Sequence, residues 1–238
     1  MIIKTNSFLS ITQHTDEKTL LIVDIDNTLV NSQTYYGSVN WEMDLYESLI
    51  KEGFSHKKAK TYTQNHWYEA QKSVSLSPIE KGIQTFLKTY LLKNNLIAIT
   101  ARDRTVMDLT FKSLKNLDFH FSLVDTPLHC SLTTKTPIPA YLHYGILFCG
   151  DCPKSIALFY LIETLNLLEM PKKIVMVDDT EHNLEDMHKK TQKHGINFIG
   201  LHYNGARPLY QTQPINNIER SDVSPKNTTT QNLIKSQA

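Results

Sequence analysis

Residues 19–29 read Thr-Leu-Leu-Ile-Val-Asp-Ile-Asp-Asn-Thr-Leu: an apolar run that stops at a carboxylate, Asp24, with Asp26 and Thr28 just beyond it. An almost unbroken run of this length reads as a strand buried on both faces, the habit of parallel sheets, not as an alternating half-buried strand. Four more runs read the same way, at 96–100, 145–149, 174–177 and 197–201. Between most of them apolar residues recur at helical spacing, over about 79–92, 103–117, 154–168 and 181–194, with Gly195 placed as the stop of the last. Strands alternating with helices predict an α/β fold, a doubly wound parallel sheet with right-handed crossovers.

Two segments break the alternation. Residues 31–78 carry Trp41, Glu42, Leu45, Tyr46, Leu49 and Ile50 at helical spacing, then a second helical stretch over 57–72. They read as a small helical cap inserted into the α/β unit. Residues 118–144 hold three prolines among scattered polar residues and read as a loop with room for a hairpin. The expected organisation is a core domain made of residues 1–30 and 79–210, a cap at 31–78, and a tail at 211–238. The tail is rich in Asn, Thr, Gln and Ser, and is expected to be mobile.

With 238 residues, 40% of them apolar, the chain can bury a core without disulfides or structural metal. A net charge of +1 predicts no nucleic-acid or acidic-membrane binding through bulk electrostatics. Three cysteines, an odd and small number, argue against a disulfide framework. Residues 1–19 lack a signal-peptide core, and no stretch approaches membrane-spanning length. The expectation is a soluble protein with no signal peptide, cytoplasmic or delivered into a host cell by a specialised secretion system.

In parallel α/β sheets, ligands bind outside the carboxyl ends of the strands. The residues just beyond each apolar run are therefore the candidates for a site. The first run delivers Asp24, Asp26 and Thr28; the second, Thr100 and Arg102; the third, Lys154 near a helix start; the fourth, Asp178 and Asp179. Carboxylates, a hydroxyl and an ammonium on one rim suit phosphoryl transfer. A carboxylate can attack phosphorus, a hard oxygen site can hold Mg²⁺, and the remaining donors can bind phosphate oxygens.

These four elements, in this order, resemble the haloacid-dehalogenase (HAD) superfamily, over residues 20–183. The resemblance implies an aspartyl-phosphate mechanism. Asp24 would be nucleophile and metal ligand. Asp26 would be general acid and base, its backbone carbonyl also on the metal. Thr100 and Lys154 would hold phosphate, Asp178 would bind Mg²⁺, and Thr28, Asp179 and Arg102 would support the site. Gly37-Ser38-Val39-Asn40-Trp41, Thr100-Ala101-Arg102-Asp103 and Gly145-Ile146-Leu147-Phe148-Cys149-Gly150 look like a HAD branch found in intracellular bacterial pathogens. Some HAD-type effectors from such bacteria act on phosphotyrosine. The expected function is therefore a Mg²⁺-dependent phosphatase acting on a phosphorylated substrate, with phosphotyrosine protein as the narrower expectation and Tyr35 or Tyr36 as an aromatic wall.

Rival readings stay open at this point. The substrate can be a small metabolite, or the chain can be a non-catalytic HAD-fold interaction module. Cys149 and Cys152 form a Cys-x-x-Cys pair at a strand-to-helix junction, which can be redox-active or half a zinc site, although no second ligand pair accompanies it. Arg102 and Arg104 lie close enough to Thr100 to be alternative phosphate ligands, and exposed helix-face arginines are the plainer reading.

Overall fold

A computed structural model describes residues 1–122, 130–132, 139–163 and 170–211. The strands are β1 Ile2–Thr5, β2 Thr19–Val23, β3 Val30–Ser32, β4 Leu76–Pro78, β5 Leu96–Thr100, β6 Cys130–Leu132, β7 Ala140–His143, β8 Ile146–Phe148, β9 Lys173–Asp178 and β10 Asn197–Tyr203. The helices are α1 Val39–Lys51, α2 His56–Ala70, α3 Ile83–Leu91, α4 Met107–Asn116, α5 Lys154–Glu163 and α6 Glu181–Lys193. The eight-stranded main sheet has the order β1-β10-β9-β2-β5-β8-β7-β6. From β1 across to β8 every neighbouring pair is parallel; β7 and β6 are added antiparallel. The fold is α/β and doubly wound, as the alternation predicts.

The unbroken apolar runs have a physical reason. Alternate residues of β2, β5 and β9 enter two different cores. Leu21, Val23, Leu96, Ala98, Val175 and Val177 face one core with Ile83, Leu87 and Tyr90 of α3 and Leu114 of α4. Leu20, Ile22, Ile97, Ile99, Ile174 and Met176 face the other, with Leu158 and Leu161 of α5 and Leu184 and Met187 of α6. Neither face of a central strand meets water, so neither can be polar.

The segment between β2 and α3 leaves the sheet through β3 and returns through β4, which pair antiparallel as a two-stranded neck. On that neck sit α1 and α2, each capped by a serine. Trp41 N donates to Ser38 Oγ, and Lys58 N donates to Ser55 Oγ. Their facing sides bury Trp41, Leu45, Leu49, Ala59, Trp67 and Ala70 in a third, separate core that also takes Val106.

Two findings depart from expectation. β1 is an edge strand on β10, short and only partly buried, so its sequence carries no long apolar run. The predicted strand at 145–149 begins one residue later, because Tyr144 and Gly145 turn the chain from β7 into β8 with φ of 48° and 73°. Positive φ at both central residues is what a tight two-residue hairpin requires. A Cβ at Gly145 would also lie 2.0 Å from the Ser122 carbonyl oxygen, so no larger residue fits. In 118–144, expected as a loop with room for a hairpin, the described parts include β6 and β7, which pair antiparallel. Residues 164–169 and 212–238, which hold the end of the predicted 154–168 helix and nearly all of the expected mobile tail, lie outside the described residues.

Candidate active site

The chain runs from β2 outward to β5 and β8 on one side, then crosses to β9 and β10 on the other. The order therefore reverses at β2, and a crevice opens above the carboxyl ends of β2 and its neighbours. Asp24 stands at the end of β2, its amide donating to Val177 O at 2.9 Å. Beyond it the backbone closes one tight turn, in which the amides of Leu29 and Val30 donate to Ile25 O at 2.9 and 3.1 Å. Asn27 supports the turn with φ of 56°, a left-handed conformation that Asn tolerates better than most side chains. The Thr28 hydroxyl, expected to order this loop, is buried with no hydrogen-bond partner among the described residues. Backbone bonds hold the turn instead.

Lys154 opens α5 and is buried between two carboxylates. Its Nζ donates to Asp24 Oδ1 at 2.5 Å and to Asp178 Oδ2 at 2.7 Å. Burial works against the ammonium, but the Asp178 and Asp24 charges outweigh it and hold Lys154 protonated well above the usual lysine range. Burial pushes the Asp24 carboxyl up, with Lys154 pulling the other way. The one ammonium is thus bonded to both acids. Asp178, fully buried, also accepts from Thr180 N at 2.9 Å and from Asn183 Nδ2. Asp179 is less enclosed and accepts from Asn27 Nδ2 at 3.2 Å. Burial and then the Asp178 charge push its carboxyl up.

Carboxylate oxygens of Asp24, Asp178 and Asp179 lie within 4.8 Å of one another, so this trio could hold a metal ion. Hard oxygen donors suit Mg²⁺. Asp179, expected only to support Asp178, thus stands within ligand reach itself. The Asp26 carboxylate is not part of the trio.

Asp26 is engaged elsewhere. Arg102 grips it in a two-pronged pair, Nε to Oδ2 at 2.8 Å and Nη2 to Oδ1 at 2.7 Å. Arg102 Nη1 also donates to Thr110 Oγ1 at 3.1 Å, and the guanidinium lies 5.0 Å from the Trp67 ring centre. Burial opposes the Arg102 charge, and the Asp26 carboxylate overcomes it. Thr100 Oγ1 accepts from Arg102 N at 3.1 Å, which ties the end of β5 to the same arginine. Arg104 instead pairs with Tyr141 and does not line the cavity.

A cavity of about 270 Å³ lies over this rim. The core lines it with Asp24, Asp26, Thr100, Arg102, Lys154 and Asp179, among others, and the two cap helices with Val39, Glu42, Gln64, Trp67 and Tyr68. Cap and core are joined beside it by Lys60 Nζ to Asp151 at 2.5 Å and by Tyr68 OH donating to Asp103 Oδ2 at 2.6 Å. The sequence-predicted residues Asp24, Asp26, Thr100, Arg102, Lys154 and Asp179 all line the cavity, with Asp178 directly beneath; Thr28 does not. The expected aromatic wall is corrected. Tyr35 is buried and donates to Asp44, Tyr36 is exposed against Trp41, and neither lines the cavity. Glu42 was missed as a site residue. In sequence it looks like an acid stabilising the first turn of a helix, and nothing in its spacing says that α1 points that turn at Asp26.

Cys149 and Cys152 are both buried. Burial pushes the Cys149 thiol far up, and its Sγ donates to Leu147 O. An inert thiol that completes the core is what this geometry describes.

The family described as "Protein of unknown function (DUF2608)" matches residues 4–235, nearly the whole length. The chain belongs to the DUF2608 family. A Chlamydia pneumoniae relative that carries the provisional name outer membrane protein is 29% identical over 201 residues, covering 82% of this DUF2608 chain and 74% of the relative. No helix among the described residues is long and apolar enough to cross a membrane. Among solved structures, the HAD domain of the effector protein Lem4 from Legionella pneumophila, an inactive mutant, aligns at 13% identity and a TM-score of 0.42, over 79% of this chain and 86% of that one. A HAD-superfamily hydrolase from Geobacter sulfurreducens aligns at 12% and 0.43, over 83% and 92%. A phospho-aspartyl intermediate analogue of phosphoserine phosphatase aligns at 16% and 0.40, over 82% and 96%. Likenesses at these scores carry no argument about the site, which stands on this chain's own residues.

Proposed function

We propose that this DUF2608 chain is a HAD-type phosphohydrolase that cleaves phosphate monoesters through an aspartyl-phosphate on Asp24. The observation that carries the reading is the Lys154 ammonium bonded to both Asp24 and Asp178 at the reversal point of the sheet. A nucleophilic carboxylate, the cation that steadies it, and the carboxylates that suit a metal meet where an α/β sheet binds ligands.

In this reading Asp24 Oδ attacks phosphorus, and the bond from phosphorus to the alcohol oxygen breaks. Asp26 gives that oxygen its proton, then takes one from the water that attacks the aspartyl-phosphate, releasing phosphate and Asp24. Both Asp26 oxygens accept from Arg102 in the described state, so the arginine holds the acid in place. An incoming phosphate offers Arg102 an alternative anion, which couples substrate arrival to release of the acid. Thr100 and Lys154 supply the remaining phosphate contacts. A Mg²⁺ ion held by Asp24, Asp178 and Asp179 would neutralise charge on the phosphoryl group.

The test is hydrolysis of p-nitrophenyl phosphate by the intact chain with Mg²⁺ and with excess chelator, beside Asp24→Asn. Turnover that needs both Mg²⁺ and Asp24 is expected. Full turnover in chelator would sink the metal-dependent mechanism, and full turnover by Asp24→Asn would sink the nucleophile. Phosphotyrosine protein as substrate loses the wall expected from Tyr35 and Tyr36; the aromatic surface the cavity offers is Trp67 and Tyr68.

A further inference from the structure

The carboxylates that line the cavity are partnered, with one exception. Lys154 bonds Asp24, Arg102 grips Asp26, Lys60 pairs with Asp151, and the Asn27 amide donates to Asp179. Glu42, carried to the cavity by α1, has no hydrogen bond or ion pair among the described residues. It is only partly exposed. Burial is the first cause that pushes its carboxyl up to about 7; the Asp26 charge adds to this, against the smaller pulls of Arg102 and Lys60. Enclosing an unpaired carboxylate costs stability, and groups left in that condition in a cavity are commonly completed by a ligand.

The charge of the lining points the same way. Asp24, Asp26, Glu42, Asp151 and Asp179 face the cavity, against the cations Arg102 and Lys154. A divalent metal and a phosphate dianion cancel each other, so loading both leaves the acidic surplus in place. The Asp26 charge is met by Arg102 and the Asp151 charge by Lys60, whereas Glu42, on the cap side, has no cation bonded to it among the described residues. A second copy of the same charge there would be repelled, and a neutral group would bury the carboxylate unpaired. Trp67 and Tyr68 line the same cavity, aromatic surfaces of the kind that receive cations; Trp67 already holds the Arg102 guanidinium at 5.0 Å. At about 270 Å³ the cavity has room for a phosphate and a small organic group.

We infer that Glu42 is the counter-ion for a cationic group on the substrate's alcohol, so that this cavity takes phosphate monoesters of small amino-alcohols. The inference rests on the phosphohydrolase reading of the same cavity and narrows its substrate.

The test compares 2-aminoethyl phosphate with propyl phosphate, which differ by an ammonium in place of a methyl, at about pH 8 with Mg²⁺. A charge-assisted contact predicts a ratio of kcat/KM of about tenfold or more in favour of the amine in the wild type, falling towards one in Glu42→Gln. That variant is isosteric and removes an unpaired charge. A wild-type ratio near one, or a ratio that survives Glu42→Gln, overturns the inference. If p-nitrophenyl phosphate is hydrolysed and the amine gives no advantage, the inference fails alone and the phosphohydrolase reading stands. If no ester is turned over, that reading fails. Calorimetric binding of 2-aminoethylphosphonate against propylphosphonate then decides the inference, a preference of about tenfold supporting it and equal affinities overturning it.

Discussion

Replacing Lys154 with Met would remove the single ammonium between Asp24 and Asp178 while keeping most of its bulk. The three side chains are 6%, 7% and 0% exposed, so bulk water cannot take the lysine's place. Breaking a buried ion pair by removing one partner costs about 3–5 kcal/mol. Here two carboxylates lose their cation at once, and their mutual repulsion adds to that figure. Proton uptake limits the loss, because one of two crowded carboxyls can go neutral. That gives the effect a sign with pH. Burial already pushes the Asp24 carboxyl up and Lys154 opposes it, so without the lysine the folded chain binds more protons and stability falls as pH rises through that interval. In chelator, the expected deficit against wild type is about 3–5 kcal/mol at about pH 7.5 and smaller at about pH 5. Magnesium should stabilise the variant more than the wild type, since it supplies charge to the same carboxylates. Urea unfolding at both pH values, with and without Mg²⁺, measures all of this. A variant within about 1 kcal/mol of wild type in chelator at the higher pH would refute the picture of Lys154 as the charge that makes this site foldable.

Asp24→Asn should reduce phosphatase turnover to background. Asp26→Asn should lose about 10²–10⁴-fold on an alkyl phosphate and less on p-nitrophenyl phosphate, and equal losses on the two would count against Asp26 as the acid. Glu42→Gln should raise the stability of the ligand-free chain increasingly with pH. The Glu42 carboxyl sits at about 7 against an ordinary 4.5, so its burden appears across that window and is complete above it. At about 1.4 kcal/mol per pKa unit the ceiling is near 3 kcal/mol, and roughly 1–2 is expected because the side chain is not fully enclosed. The check is the difference in Tm between variant and wild type at about pH 5 and about pH 8, and a constant difference would contradict it. Changing Cys149 and Cys152 together to Ser should leave metal-dependent turnover largely intact, whereas its loss would revive a thiol role.

Much of the candidate site could be read from the chain because its parts lie at strand ends. The unbroken run 19–23 had to be buried on both faces, and a chain that leaves such a strand presents its next polar residues at the rim. Asp24, Asp26, Thr100, Lys154, Asp178 and Asp179 were found that way, each from local sequence plus one rule about parallel sheets. Arg102 was half legible, being two residues beyond Thr100 and so directed to the same side, but its grip on Asp26 was not. That contact spans 76 residues and depends on how β2 and β5 stand in register.

What the sequence by itself determined was the α/β class and the set of groups brought to one rim, both consequences of periodicity and short-range chain direction. Tertiary structure alone decided how those groups share their charges: that Lys154 bridges two acids, that Asp179 comes within metal reach, that Tyr35 and Tyr36 turn away, and that Glu42 has no partner among the described residues. The physical reason is range. Periodicity reports which face of an element is buried. The pairing of charges is set by a few ångströms between residues far apart in the chain, and only the packing of the folded elements on one another fixes that distance.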